Sequence, residues 1–338
     1  MKTLIIGGSV FLGRAIVTEA LRRGHEVTTF NRGRTGVDQP GVEAVRGDRG
    51  ERADLERLVD GRQWDTVIDV CGYVPKVVAE SAQVLNGHAA HYTYISTLSV
   101  YADWPAQQTD ENGRLHECDA DAGPEAGDYG VLKAGTERAV EKYFDGPRLI
   151  LRPGLILGPH EDVGRQPWWL TRIARGGQVL APGSPDSPMQ MIDARDLAVF
   201  TVAQAEKQAD DRFITTGPTG VPTFGEWLNL MRSATGSDAE LVWVDDEFLL
   251  AQGAVPYTEL PMWMPPAADF AWLYSIDSAK ALAAGLPSRP VAETVNDTWE
   301  WLRHIPEAER RFGPADMPIR HGMDAEKEAA ILAAWAAR

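Results

Sequence analysis

Residues Thr3 to Ile6 form a short apolar run. The stretch after it, from about Gly13 to Arg23, carries Ile16, Val17, Ala20 and Leu21 on one helical face and stops before Gly24. A compact apolar run followed by a 3.6-residue period predicts a strand and then a helix, and glycine is suited to the turn that ends one. The same rhythm predicts strands at Glu26 to Phe30, Ala44 to Arg46, Thr66 to Val70, His91 to Ser96 and Arg148 to Arg152. Between them it predicts helices at Glu51 to Val59, Lys76 to Leu85 and Tyr129 to Tyr143. Strands alternating with helices of this length build βαβ units, so the expected fold class is α/β, a doubly wound parallel sheet with helices on both faces.

Beyond Gly158-Pro159 the rhythm breaks down. Aromatic residues, Pro and Gly become frequent through Trp168-Trp169, Pro182 to Pro188 and Val255 to Pro266, with helices expected at Arg195 to Ala205, Phe224 to Ala234 and Val291 to Leu302. The Ala-rich stretch Asp324 to Arg338 reads as a terminal helix, packed or frayed.

Composition narrows the function. The chain has 338 residues, 44% of them hydrophobic, which supports a substantial core and about two domains. Lys and Arg number 33 against 49 Asp and Glu, a net charge of −16. Nucleic-acid backbones are gripped largely by Lys and Arg, so a nucleic-acid partner is not expected. No apolar run approaches the ~20 residues that span a bilayer, and the N-terminus lacks the pattern of a signal peptide. Two cysteines, Cys71 and Cys118, make neither a disulfide framework nor a zinc site. No membrane partner and no metal are expected, and the expected compartment is the cytoplasm.

The first chemical motif is Gly7-Gly8-Ser9-Val10-Phe11-Leu12-Gly13, set between the first strand and the first helix. Glycines there permit a tight turn that brings backbone N–H groups and a helix N-terminus up to a pyrophosphate. Gly7 would allow the turn and Gly13 the close packing of helix on strand. The second strand ends in Phe30-Asn31-Arg32-Gly33-Arg34, where an NAD site usually carries an acid for the ribose hydroxyls. Two guanidiniums in its place favour NADP(H) over NAD(H), because Arg offers charge and a planar fork of donors to a 2′-phosphate. Asp48 and Arg49, after the third strand, are placed to meet the adenine, though Asp48 also suits a turn cap. Cys71-Gly72-Tyr73, after the fourth, would lie beside the ribose and nicotinamide half.

The second motif is Tyr129-Gly-Val-Leu-Lys133 at the start of a helix. Positions i and i+4 share a face, so phenol and ammonium can serve one site. A nearby cation lowers a phenol's pKa from about 10 and makes it a usable acid or base. The segment Ile95-Ser96-Thr97-Leu98-Ser99-Val100-Tyr101, following a strand, supplies hydroxyls for a substrate oxygen.

The glycine turn, this Ser-Thr-x-x-Val-Tyr segment, Tyr129 and Lys133, the Arg152-Pro153-Gly154 to Gly158-Pro159 stretch and Asp193-Ala-Arg-Asp196-Leu-Ala198 occur in the order seen in the extended short-chain dehydrogenase/reductases. The chain resembles that family, epimerases and dehydratases included, over roughly residues 1–303. The resemblance implies a Rossmann domain over 1–158, to which elements around 190–207 return, and a substrate lobe mainly within 159–303. Residues 304–338 then form a helical extension. It further implies Tyr129 as acid/base, Lys133 as its activator and ribose ligand, Thr97 as the hydroxyl that fixes the substrate oxygen, and Pro153, Gly154 and Leu155 beside the nicotinamide. A homodimer through paired helices is also implied.

Departures from the family pattern carry information. Val10 replaces the middle glycine of the turn. Thr97-Leu98-Ser99 lacks the acids of the dehydratases. Leu155 and Met189 stand where nucleotide-sugar enzymes place donors for the diphosphate. The substrate lobe instead offers Trp168, Trp169, Met189, Met191, Trp263 and Met264, either as core or as the wall of a pocket for an apolar or aromatic carbonyl substrate. His160, Glu161 and Asp162 would supply a second acid/base or a solvated loop. The expected activity is hydride transfer between NADP(H) and a small, non-nucleotide carbonyl or carbinol. The alternatives are a nucleotide-sugar epimerase with tightly bound NAD, and a nucleotide-responsive binding protein without catalysis.

Overall fold

A computed structural model describes residues 1–310, 312 and 321–338. The first half runs β1 (Lys2–Ile6), α1 (Phe11–Arg22), β2 (Glu26–Asn31), β3 (Glu43–Arg46), α2 (Arg52–Val59), β4 (Thr66–Asp69), α3 (Pro75–Leu85), β5 (Tyr92–Ile95), α4 (Tyr129–Tyr143) and β6 (Arg148–Pro153). The second half runs β7 (Ile156–Leu157), α5 (Arg165–Ala174), β8 (Gln178–Pro182), β9 (Ile192–Asp193), α6 (Ala194–Glu206), β10 (Asp211–Thr215), α7 (Phe224–Thr235), β11 (Glu240–Val244), α8 (Asp246–Ala251), α9 (Ala279–Ala283), α10 (Val291–Leu302) and α11 (Ala325–Ala336).

Seven parallel strands form the main sheet in the order β10-β6-β5-β4-β1-β2-β3. Both faces are covered, which is why β1 reads as unbroken apolar sequence. Ile5 packs with α1 and α6, whereas Leu4 and Ile6 pack with α2 and α3 on the other side. Strand order reverses between β1 and β4, and ligands of such sheets bind in the crevice beyond the carboxyl ends at that point. The glycine turn leaves β1 there, and Cys71 to Tyr73 leave β4 beside it.

The elements of the first half fall within one or two residues of the sequence reading. The second half holds what that reading lacks. β10 completes the main sheet, but Asp211-Arg212-Phe213-Ile214-Thr215 offers only two central apolar residues to signal it. Helix α5 contains Pro167, tolerated because a first-turn N–H needs no helical partner. Around α5, α7 and α10 a second core gathers Trp169, Trp227, Met189, Met231 and Leu302. The two-stranded parallel sheet β8–β11 completes this lobe.

The C-terminal helix is packed. Ile331 and Met323 join the second core, and the buried carboxylate of Glu328 accepts from Leu180 N at 3.0 Å and Arg172 Nε at 2.6 Å.

Candidate active site

Gly7 and Gly8 both adopt positive φ, +106° and +94°, so the turn after β1 is made by this pair. Gly8 was not singled out by sequence. A Cβ on Gly13 would lie 2.8 Å from Gly8 N, so helix and turn touch backbone to backbone. Val10, the N-cap of α1, has φ −130° and ψ 145°, extended backbone open to any residue, which explains why the family's glycine is dispensable here. Among the described residues no side chain caps α1, so the N–H groups of Phe11, Leu12 and Gly13 stay available. This cradle fits the pyrophosphate of a dinucleotide, with Ser9 and Val10 at its rim.

Asn31 organises the loop after β2. Its side-chain oxygen accepts from Gly33 N and Arg46 Nη1, both at 2.8 Å, and its amide donates to Asp38. The loop folds back over the glycine turn until a Cβ on Gly36 would come within 2.3 Å of Ser9 O. Arg32 and Arg34 are exposed, Arg32 reaching Asp48 at 3.9 Å. Arg46, not singled out by sequence, brings a third guanidinium beside Gly33 and pairs with Asp38. Asp48 also caps its own turn by accepting from Gly50 N at 3.0 Å.

Arg49 departs from its expected role at the adenine. Its guanidinium turns inward, donating to both oxygens of Asp69 at 2.6 and 2.7 Å and to Ser81 Oγ at 3.1 Å. Asp69 has no solvent exposure and also accepts from Tyr92 Oη. Arg49 thus ties the loop between β3 and α2 to β4 and α3 beneath the crevice. Burial raises the Cys71 thiol's pKa, against the pull of Arg49. A Cβ on Gly72 would lie 2.9 Å from the Tyr94 ring, and Tyr73 is largely exposed.

The candidate reacting groups meet beyond β5. Thr97 caps the single helical turn Leu98–Val100, its Oγ1 accepting from Ser99 N at 3.2 Å. Asp128 caps α4 in the same way, accepting from Val131 N. Gly130 allows these two caps to meet, since a Cβ there would lie 2.3 Å from Ser99 O. Tyr129 is thereby set beside Thr97, half exposed at 50%. Its surroundings push the phenol pKa up, and the Thr97 hydroxyl pulls it down.

Lys133 is wholly buried, and its Nζ donates to Gly72 O at 2.9 Å, Ile95 O at 2.8 Å and Tyr94 Oη at 2.5 Å. Desolvation pushes its pKa down to about 7, opposed by the Asp69 carboxylate. Arg152 is equally buried. It pairs with Glu137 and donates to Tyr101 Oη at 2.8 Å. Pro153 ends β6. Gly154 passes Thr216 and Leu98 so closely that a Cβ would lie 2.7 and 3.6 Å from them, and Leu155 turns into the second core.

The remaining candidates divide. Trp169 has no exposure and donates from Nε1 to Pro261 O at 2.7 Å, so it is core and not a substrate contact. Trp168 stands edge-on to it at 4.7 Å and packs against Gly322. His160, at φ +67°, lies 5.1 Å from Trp301, and burial with the Arg14 charge lowers its pKa. Glu161 is buried and serves as a cap, accepting from Arg165 N at 2.9 Å and Gln166 N at 3.2 Å. Sequence reading missed Arg165, whose Nη1 reaches Tyr257 Oη at 3.3 Å. Among the described residues no group of three His, Cys, Asp or Glu is arranged to hold a metal, and no helix is long and apolar enough to cross a membrane.

Residues 3–214 match the sequence profile of the NAD dependent epimerase/dehydratase family. The chain is 29% identical over 220 residues to 2'-dehydrokanamycin reductase of Streptomyces kanamyceticus, covering 63% of this chain and 59% of the relative. It is 25% identical over 233 residues to the chloroplast stem-loop binding protein of 41 kDa b of Arabidopsis thaliana, covering 64% and 58%. Both matches thus span less than two thirds of the relative. Among solved structures, the fold is similar to the Bordetella bronchiseptica enzyme WbmH in complex with NAD+, with a TM-score of 0.67 at 17% identity over 90% of this chain and 98% of that one. With its parallel sheet, glycine turn and Tyr129/Lys133 helix, the chain belongs to the NAD-dependent epimerase/dehydratase family, an extended short-chain dehydrogenase/reductase fold.

Proposed function

We propose that this chain is an NADP(H)-dependent reductase acting on the carbonyl of a small substrate that is not nucleotide-linked. The observation that carries the reading is the half-exposed Tyr129 phenol beside the Thr97 hydroxyl at the carboxyl edge of the sheet. Thr97 holds the substrate oxygen and Tyr129 delivers its proton, or takes it back in the reverse direction. The bound nicotinamide supplies the hydride chemistry. Arg32 and Arg34 receive the 2′-phosphate, with Arg46 behind them. Leu155 and the fully buried Met189 offer no donor to a diphosphate, which supports a substrate without one. The 29% identity to a reductase points the same way.

A nucleotide-sugar epimerase is the second reading, favoured by the likeness of the fold to NAD-binding neighbours. One experiment separates the two. The purified protein is denatured, any released nucleotide is identified by mass spectrometry, and NADPH and NADH are titrated by tryptophan fluorescence. Exchangeable binding that prefers NADPH, weakened selectively by Arg34→Ala, is expected, followed by turnover in a carbonyl screen. Stoichiometric, non-exchanging NAD would overturn the proposal in favour of the epimerase. Binding of neither would favour a non-catalytic role.

A further inference from the structure

The loop after β2 brings back a carboxylate that the strand end lacks in sequence. Asn31 closes β2 and is followed by Arg32-Gly33-Arg34, with Asp38 seven residues on. Gly33 and Gly36, at φ +66° and +68°, turn the chain back on itself. Asp38 Oδ1 then accepts from Asn31 Nδ2 and Arg46 Nη1, both at 3.3 Å, while Oδ2 accepts from Arg46 Nη2. Asn31 and Arg46 are register partners on β2 and β3, so this carboxylate sits across the carboxyl ends of both strands. The adjacent Gln39 is pinned to α1, its amide donating to Arg14 O at 2.8 Å and its oxygen accepting from Thr18 Oγ1 at 2.7 Å. Asp38 is thus fixed within the loop that folds over Ser9 of the glycine turn. Arg46 also holds its carboxyl below the usual carboxylate range.

We propose that Asp38 is a cofactor-specificity determinant, an internal carboxylate that holds the Arg46 guanidinium in the place of a 2′-phosphate. The inference rests on the NADP(H) reading above and refines it. A guanidinium pairs with carboxylate and phosphate through the same fork of donors, so Asp38 must release Arg46 before that residue can grip a phosphate. Once released, the carboxylate remains a negative charge beside another. A ribose hydroxyl brings no charge and does not compete for Arg46, so Asp38 weakens the binding of NADPH and spares that of NADH. Arg32 faces Asp48 at 3.9 Å in the same way. Two of the three guanidiniums at this end of the cleft therefore face an acid, and the discrimination between the two cofactors is shallower than three arginines alone would make it.

The test compares 2′,5′-ADP with 5′-AMP, which differ only in the 2′-phosphate, by calorimetric titration of the full chain at low salt. Asp38→Asn keeps the side chain's shape and an acceptor oxygen and removes its charge. It is expected to tighten 2′,5′-ADP by about tenfold and to leave 5′-AMP within about twofold. The gain should shrink as salt is added, and it should be much smaller in an Arg46→Met background, where no guanidinium is released. An unchanged or weaker affinity for 2′,5′-ADP in Asp38→Asn would overturn the proposal, as would a gain just as large in the Arg46→Met background. Loss of 5′-AMP binding would overturn it too, by making Asp38 the acceptor of the ribose hydroxyls. So would binding of 2′,5′-ADP to neither protein. The wild-type preference between the two ligands tests the NADP(H) reading by itself, and the difference between wild type and Asp38→Asn tests Asp38, so each can fail alone.

Discussion

The ammonium of Lys133 donates to Tyr94 Oη at 2.5 Å and lies 4.2 Å from the centroid of that ring. Lys133, four residues after Tyr129, therefore joins the loop after β4 to the end of β5 through main-chain carbonyls of Gly72 and Ile95. A ribose hydroxyl would have to replace one of those acceptors for Lys133 to hold cofactor.

Lys133 should leave a signature in stability against pH. Its folded pKa of about 7 lies below its ordinary 10.5. Between those values the unfolded chain binds a proton that the folded chain has released, so folding is favoured as pH rises. Urea denaturation at pH 7 and pH 9 is expected to show wild type gaining on the order of 1 kcal/mol per pH unit relative to Lys133→Met. A constant difference would mean that the ammonium stays charged in the fold.

Tyr129→Phe removes the proposed proton donor and leaves the half-exposed ring in place. Turnover of a carbonyl substrate identified by screening should fall by about 10²–10⁴-fold, while NADPH affinity from fluorescence titration stays within error of wild type. Near-normal turnover would remove Tyr129 from the reaction.

Arg152 and Glu137 are both 1% exposed and face each other at 2.6 Å. Ser96 Oγ also donates to Glu137 at 2.5 Å, so the pair anchors the end of β5 just before Thr97. Arg152→Met strands a buried carboxylate and is expected to cost about 3–5 kcal/mol in urea denaturation. Glu137→Gln/Arg152→Met should recover part of that loss, which a purely steric effect of the methionine would not allow.

Gly130 sets the distance between the Thr97 and Tyr129 hydroxyls. Its Cβ position lies 2.3 Å from Ser99 O, so Gly130→Ala must push the start of α4 away from the Thr97 turn. The expected result is a loss of kcat of about 10²-fold, as a misplacement near 1 Å produces, with little change in NADPH affinity. Unchanged kcat would show that the turn yields without separating Thr97 from Tyr129.

The amino-acid sequence by itself determined the first six strands of the main sheet, the helices between them and the glycine turn, because each carries its own local period and punctuation. Tyr129 and Lys133 were legible for the same reason, being one helical turn apart at a capped helix start. Local pattern could not say which way a charged side chain would face. Arg49 reads like a cofactor ligand from its neighbours Gly47 and Asp48, yet a carboxylate twenty residues on draws it inside. Lys133 points to the carbonyls after β4 and at the end of β5 only because those strands are neighbours in the sheet. Arg165 and Tyr257 lie 92 residues apart in the chain and meet only when the second lobe closes its core. β10 is a strand by virtue of pairing with β6, since two apolar residues carry too little period to specify it. Tertiary structure decided these features because each depends on a partner distant in sequence, and the energy of burying a charge or pairing an edge exists only once that partner has arrived.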